Sequence, residues 1–509
     1  MEQNACRRQP LPLHTSLPIP ESFDAEYLEY YQMLPLEVVS GRLRVAVAGQ
    51  PNRDALEDLE QSYGVDVVTE PVDEQDLADA IRRTFAATES VLELVKDLDG
   101  TVADDGGAGD PQLADVRNSA NQPFVIRFVN LLIRDAHDSS ASDIHLEAGR
   151  AGLRVRLRID GVLTELPAPS QALQAAVVSR IKLLAELDIA ERRLPQDGRI
   201  RVRLEERELD LRVSTTPTLF GESVVLRLLD RGGRPVSLPD LGLAASMLAE
   251  VERLCQRSHG IVLTTGTTGS GKTTTLYAAL GLRHPTEEKI VTVEDPVEYY
   301  LAGVTQVPVH SKAGVTFAAA LRSILRQDPD VLMVGEMRDP ETAAVAVQSA
   351  MTGHLVFSTL HTNDAVSAIT RLVDLGVEPY MIAATVEGIL AQRLVRKVCP
   401  DCREPYQPDA PKLALLACRP VGAGTHWQKL ERGVGCQLCR HTGYLGRTGV
   451  YQLLVMTDEL RDALLGGPNL TELRDIAHRQ GMVTLRQDGW DKVRSGITTV
   501  EEVLRVAGE

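Results

Sequence analysis

The first regular pattern along the chain is GRLRVAVAG, residues 41–49, where Leu43, Val45 and Val47 alternate as a half-buried strand requires. ALEDLEQSYG (55–64) has helical spacing and a closing Gly64. VDVVTEPVDEQDLADAIRRTF (65–85) predicts a strand, a capped start and a second helix. Residues 1–98 are therefore expected to form a small α/β module. DLDGTVADDGGAGDP (97–111) is rich in Gly and Asp and lacks apolar periodicity, so 99–111 is assigned as a linker.

From 112 to 235 the pattern is α+β. FVIRFVNLLIRDAH predicts a helix with Val125, Phe128, Val129 and Leu132 on one face. SDIHLE and LRVRLRIDGVLTEL predict strands, the second folding back at Asp160-Gly161. RIRVRLEERELDLRVS predicts another hairpin, with Ile200, Val202 and Leu204 on one side of its first arm. Leu209, Leu211 and Val213 match them on the second. The third segment, 236–509, contains an apolar strand, IVLTT, that runs into G-x-x-x-x-G-K-T and then a helix.

That context makes residues 266–273 a phosphate site. The glycines let backbone N–H groups close on phosphates at the positive end of the following helix. Gly266, Thr267, Thr268, Gly269, Ser270, Gly271 and Thr274 form the expected cradle for ATP. Lys272 reaches the β- and γ-phosphates, and the Thr273 hydroxyl ligates Mg2+.

VLMVGEMRD (331–339) predicts the second strand of such a site, with one anomaly. Gly335 stands where an Asp usually helps to hold the metal. Glu336 remains, placed to orient or deprotonate the attacking water. IVTVEDPVEY (290–299) ends in Glu294, Asp295 and Glu298. Magnesium on phosphates needs few protein oxygens, so these carboxylates are candidates for what Gly335 lacks. GHLVFSTLHTND places His354 and His361 on either side of a strand's apolar core.

Charge developing on the γ-phosphate calls for arginines. Arg212 in LDLRVS lies on the polar side of its strand, and Arg227 in SVVLRLLD interrupts an apolar run and needs a partner. Both precede the phosphate-loop segment. Arg322 and Arg326 are spaced i, i+4, which predicts a shared helix face. A structural salt bridge is the alternative for each arginine.

CPDC (399–402) and CQLC (436–439) supply Cys399, Cys402, Cys436 and Cys439, a closed set of four thiolates that suits structural Zn2+. In a reducing compartment such pairs point to metal rather than disulfide. His441 reads as a bystander, and Cys6, Cys255 and Cys418 as ordinary residues.

Composition narrows the partners. A net charge of −17 and 4% aromatics argue against a nucleic-acid surface. Residues 54–79 hold ten acidic side chains and no Lys or Arg, either a solvated surface or a docking face for a basic partner. The N-terminus lacks an apolar signal region and no run of 18 apolar residues occurs. The expectation is a cytoplasmic protein that meets a membrane only through a partner.

The order of these motifs resembles the secretion ATPase superfamily that drives type II secretion and type IV pili. SDIHLE, RIDG, QDGRI, EDPVEY and GHLVFSTLHTND carry the likeness across residues 120–509. It implies a multidomain α/β protein: a RecA-like P-loop ATPase core at 236–509 and a preceding PAS-like α+β domain at 112–235. A zinc-binding subdomain (397–442) and C-terminal helices belong to the core. In this family Gly-Glu is the ordinary end of the catalytic strand. The resemblance implies catalytic roles for Glu336, Glu294, His361, Arg212 and Arg227, and nucleotide contacts from Glu298, Arg322 and Arg326. It further implies a homohexamer. Residues 1–98 are similar to the domain that docks on the cytoplasmic part of an inner-membrane secretion protein, and an inner-membrane platform protein is the implied target. Type IV pilus assembly is the alternative. A nucleic-acid translocase or nucleotide-gated switch fits the acidic chain less well.

Overall fold

A computed structural model describes residues 17, 23, 25–39, 41–49, 51–74, 76–78, 80–81, 121–204, 207–230, 236–408, 411–412, 430–467 and 469–507. The expected linker lies outside them, as do Cys6 and Cys418. The chain divides into two compact units. One comprises Met1–Leu157, Thr164–Arg199 and Val213–Leu226; the other comprises Arg158–Leu163, Ile200–Arg212 and Arg227–Glu509.

In the first unit, β1 (Met33–Val39), β2 (Arg42–Val47) and β3 (Asp66–Pro71) form a three-stranded sheet in that order. The β2–β3 pair is parallel, joined by the helix Arg53–Tyr63. Asn52 caps that helix by accepting from the Ala55 N–H, and Gly64 closes it at φ 67°, a conformation that favours glycine. Leu43, Val45 and Val47 are buried with Leu34, Ala55 and Leu59, as the alternation requires. The acidic stretch is partly committed to the fold. Glu70 pairs with Arg44 at 2.8 Å, Asp58 accepts from Tyr27 at 2.8 Å and Glu60 accepts from the Val67 N–H at 3.1 Å.

A six-stranded sheet follows, in the order β6-β5-β4-β9-β8-β7. Its strands are β4 (Ala141–Gly149), β5 (Gly152–Ile159), β6 (Val162–Leu166), β7 (Gln196–Leu204), β8 (Arg207–Thr218) and β9 (Gly221–Asp230). Asp160 (φ 48°) and Gly161 (φ 82°) make the β5–β6 turn, both left-handed as a two-residue hairpin of this hand needs. The helix Pro123–Asp138 buries Val125, Phe128, Val129 and Leu132. On β9, Val224 and Leu226 are buried and Arg227 is exposed. The apolar run therefore alternates faces, and Arg227 does not enter the core.

The second unit contains a seven-stranded sheet, ordered β12-β11-β13-β14-β10-β15-β18. It comprises β10 (Gly260–Thr265), β11 (Ile290–Glu294), β12 (Thr305–Pro308), β13 (Val331–Val334), β14 (Leu355–Leu360), β15 (Val386–Val398) and β18 (Tyr444–Val455). All neighbours are parallel except β15–β18. Every residue of β10, β11, β13 and β14 is buried, the reason their sequences are apolar without alternation. A ribbon of β16 (Arg403–Tyr406) and β17 (Leu430–Gly433) follows β15. The helix Phe317–Ile324 stops before Arg326, so Arg322 and Arg326 do not share a helix face. Asp328 is left-handed at φ 53° and precedes Pro329, which disfavours helix at its neighbour.

Within the first unit Lys182 and Glu222, 1% and 8% exposed, pair at 2.9 Å, and Lys182 also donates to the Glu191 carbonyl at 2.6 Å. Removing one partner of a buried ion pair costs about 3–5 kcal/mol, because the other charge is left uncompensated. Glu222→Gln is expected to destabilise by about that amount. Lys182→Met combined with Glu222→Leu should recover most of the loss. Urea unfolding, with amide exchange followed in the helix Gln174–Leu184, measures both.

Candidate active site and cysteine cluster

The phosphate loop leaves β10 at Thr265 and enters the helix Lys272–Leu280. A Cβ at Gly266 would lie 2.5 Å from both the Gln392 carbonyl and Ser270 Oγ, so only glycine allows β15 this close. Gly271 caps the helix at φ 88°. Lys272 folds over the loop, its Nζ donating to the Gly266 carbonyl at 2.9 Å and the Thr267 carbonyl at 3.2 Å. Burial pulls its pKa below the ordinary lysine value, while Glu336 opposes that shift.

Gly335 continues β13 and donates to the Val293 carbonyl at 2.8 Å. A Cβ there would meet that carbonyl at 3.2 Å, so an Asp in this slot would crowd β11. Glu336 is 9% exposed, ion-paired to Arg338, with His361 Nε2 3.5 Å from its Oε2. His361 follows β14 directly, whereas His354 precedes that strand and is bound to the Ser349 carbonyl at 2.9 Å. The two histidines thus lie at opposite ends of one strand. Burial holds the His361 pKa below its ordinary value, the Lys272 charge adds to this, and Glu336 opposes it. Lys272, Glu336 and His361 form one electrostatic cluster.

Glu294, expected among the carboxylates for magnesium, is committed inward. At 2% exposed it accepts from the Tyr277 hydroxyl, from Thr292 at 2.6 Å and from Gln306 at 3.1 Å. Glu298 differs: burial raises its pKa, and the charges of Arg212 and Arg227 oppose the rise. Both arginines, expected on a domain separate from the phosphate loop, fall in the same compact unit as the loop. Arg322 pairs with Glu341 at 2.7 Å and Arg326 donates to the Arg322 carbonyl at 2.8 Å; both are engaged locally.

Three neighbours of the site were not expected from the sequence: Arg338, Gln392 and Arg393. Gln392 Nε2 donates to the Ser270 carbonyl at 2.7 Å, and Arg393 donates to the Asn363 side chain at 3.0 Å. For Gln392 and Arg393 the signal is a polar pair inside the long apolar strand LAQRLV.

The four expected cysteines meet. Sγ separations are 3.8 Å for Cys399–Cys436, 3.8 Å for Cys402–Cys439 and 3.7 Å for Cys436–Cys439. All four Sγ atoms lie within 4.8 Å of one another. A Zn–S bond of about 2.3 Å gives a tetrahedral edge of about 3.8 Å, so the set fits zinc. Backbone N–H groups of Gly435 (3.3 Å) and Gly443 (3.3 Å) point at Cys402 and Cys439 sulfurs, the polar support that thiolates need. Cys255 stands apart, its thiol pushed up to about 12 by burial.

A Gly-rich loop after a buried parallel strand, beside a carboxylate and a histidine on the next strands, is a nucleotide-hydrolysis site in outline. The family model described as type II/IV secretion system protein matches residues 118–505, and the MshEN domain model matches residues 9–91. The chain belongs to this secretion ATPase family. A type II secretion system protein E of Xanthomonas campestris is 43% identical over 491 residues, 96% of this chain and 85% of the relative. The type IV pilus assembly ATPase PilB of Myxococcus xanthus is 42% identical over 486 residues, 94% of this chain and 85% of the relative. The crystal structure of the pilus retraction motor PilT with bound ADP has a TM-score of 0.51 and 26% identity, covering 74% of this chain and 95% of PilT. As a secretion ATPase the protein hydrolyses ATP. No described helix is long and apolar enough to cross a membrane.

A lowered histidine pKa has a defined pH signature. Below about 6.5, the unfolded value, the unfolded chain takes up the proton before folded His361 does. The His361 contribution to stability is therefore complete above that pH and is lost as pH falls through it toward the folded pKa. In the secretion ATPase, the His361 ring resonance is expected to titrate below that of a free histidine. Lys272→Ala should move its midpoint up and Glu336→Gln should move it down. An unchanged midpoint in both variants would sever His361 from the cluster.

Proposed function

We propose that the protein is the ATP-driven motor of a type II secretion system. It works as a homohexameric ring held at the inner membrane by a membrane-protein partner bound to residues 1–98, and it drives an inner-membrane platform protein. The observation that carries the catalytic part is the convergence of Lys272, Glu336 and His361 beside the phosphate loop. Lys272 binds the β- and γ-phosphates. Glu336, nearly buried and fixed by Arg338, takes the proton of the attacking water. His361 lies beside both and is kept neutral near pH 7, so it donates or accepts one hydrogen bond without adding charge.

Thr273 and Glu336 offer the hydroxyl and carboxylate oxygens that suit a hard cation, and bound magnesium would neutralise phosphate charge there. Glu294, with its oxygens already engaged, positions the acidic segment from behind rather than joining the metal. Arg212 and Arg227, whose charges reach Glu298, contribute positive potential to the nucleotide. The four-cysteine cluster holds one structural zinc. A second reading, pilus assembly, rests on the near-equal identity to PilB. Capture by the full chain of a type II inner-membrane secretion protein, against its pilus counterpart, separates the two.

Lys272→Ala is expected to abolish MgATP binding, and Glu336→Gln to retain binding while turnover falls at least about a hundredfold, the usual scale for a general base. Single-turnover hydrolysis alongside equilibrium binding tests this. Undiminished turnover in Glu336→Gln would move the base elsewhere. Metal analysis of reduced, purified protein should return about one zinc per chain, and Cys439→Ser should lower it and expose the 399–439 segment to protease. Well under one zinc in the parent protein would count against the structural role.

A further inference from the structure

Arg393 is 8% exposed, and its guanidinium donates to neutral oxygens: the Gln392 carbonyl at 3.0 Å, the Asn363 carbonyl at 3.2 Å and Asn363 Oδ1 at 3.0 Å. It makes no ion pair among the described residues. The carboxylate whose charge reaches it, Asp364, is itself engaged by Arg474 at 3.3 Å. A buried charge is ordinarily paired, because taking it out of water costs several kcal/mol. The other arginines considered for the site keep their charge in solvent: Arg338 and Arg322 are exposed even though they pair with Glu336 and Glu341, and Arg227 is exposed.

Its position explains the exception. A Cβ on Gly266 would lie 3.1 Å from the nearer Arg393 terminal nitrogen, so the guanidinium lies against the first glycine of the phosphate loop. Gln392, one residue earlier, holds the Ser270 carbonyl. Strand β15 thus braces the loop at both its start and its middle. Burial lowers the pKa of Lys272, and the Arg393 charge lowers it further, which places the two cations in one field. Glu336 opposes that field for Lys272, but it is shared with Arg338 and His361.

We propose that Arg393 is a phosphate-directed cation, whose charge is compensated by the polyphosphate of a bound nucleoside di- or triphosphate. The inference rests on the ATPase reading and adds a binding residue to it. The nucleotide supplies the anion that the fold withholds. Arg393 therefore contributes to affinity for phosphates, and its hydrogen bonds to Asn363 serve to aim it.

The test is calorimetric titration of the full chain with MgADP. Arg393→Gln keeps a donor for Asn363 and removes the charge; Arg393→Lys keeps the charge and loses the fork. Arg393→Gln should weaken MgADP binding about tenfold or more, and Arg393→Lys should stay within about fivefold of the parent. The nucleotide-free melting temperature of Arg393→Gln should not fall, while its rise on adding MgADP should shrink. A loss under fivefold in Arg393→Gln, or an equal loss in both variants, would overturn the proposal in favour of a purely structural brace. If Arg393→Gln does not fold, Arg393→Lys decides alone: binding within fivefold upholds it and a larger loss overturns it. Failure of the parent chain to bind MgADP would instead sink the ATPase reading.

Discussion

Five neighbouring parallel strands fix where the site lies. In the order β11-β13-β14-β10-β15, register pairs Val293 with Val334, Val334 with Ser358, Thr265 with Leu360 and Thr265 with Ala391. The residues that follow are Glu294, Gly335-Glu336, His361, Gly266 and Gln392-Arg393, all along one edge. Neighbouring strands are about 4.8 Å apart, so β13 and β10 stand roughly 10 Å from each other with β14 between. His361 therefore occupies the gap between Glu336 and the phosphate loop. Its pKa responds to Lys272 on one side and to Glu336 on the other for that reason.

That edge is stiffened by hydroxyls. Thr265 donates to the Leu360 carbonyl at 3.1 Å, Ser358 to the Val334 carbonyl at 2.8 Å and Thr359 to the Gly335 carbonyl at 2.7 Å. Each adds a side-chain tie between neighbouring strands beside the backbone ladder, at the ends of β13 and β10. All three side chains are buried, so these bonds form without competition from water. The proposed role of Glu336 as general base requires its carboxylate to be held to within a fraction of an ångström, and Glu336 emerges from this cross-linked edge rather than from a free loop. Glu294 completes the frame one strand further out, through Tyr277 on the helix that begins with Lys272.

The parts of this site that could be read from sequence are those whose chemistry is local. The phosphate loop needs glycines at fixed spacing after a strand, the hairpin at Asp160-Gly161 needs left-handed residues, and four thiols at C-x-x-C spacing need a metal. The loop and hairpin requirements are met within a few residues of chain, and each cysteine pair is local even though the two pairs are 37 residues apart. What sequence left obscure depends on neighbours far along it. Gln392 and Arg393 matter because β15 pairs with β10, about 120 residues earlier. Glu294 looks like an exposed acid in a proline-containing turn until Tyr277 and Gln306 close around it. The i, i+4 spacing of Arg322 and Arg326 predicts a shared face, but the helix ends at Ile324, before the turn that leads to Pro329.

The cysteine cluster belongs to the same mechanical argument. Strand β15 touches the phosphate loop at Gln392 and runs, still paired to β18, to Val398 opposite Tyr444. Cys399 then donates its N–H to the Gly443 carbonyl at 3.0 Å, so the cluster begins where the strand pair ends. Midway, Arg396 stacks over Tyr444 at 4.1 Å and reaches Glu502 at 2.8 Å on the last helix. Burial alone would raise the Glu502 carboxyl, yet hydrogen bonds from Arg505 and Arg396 hold it down to about 2. Asp160 at the β5–β6 turn accepts from the Gly446 N–H at 2.8 Å and pairs with Arg447 at 3.3 Å. A long two-stranded extension would fray from its open end without such anchors. The four cysteines from both sides of the 399–439 segment meet at that end, so a metal bound by them would also hold the far end of the strand that braces the phosphate loop.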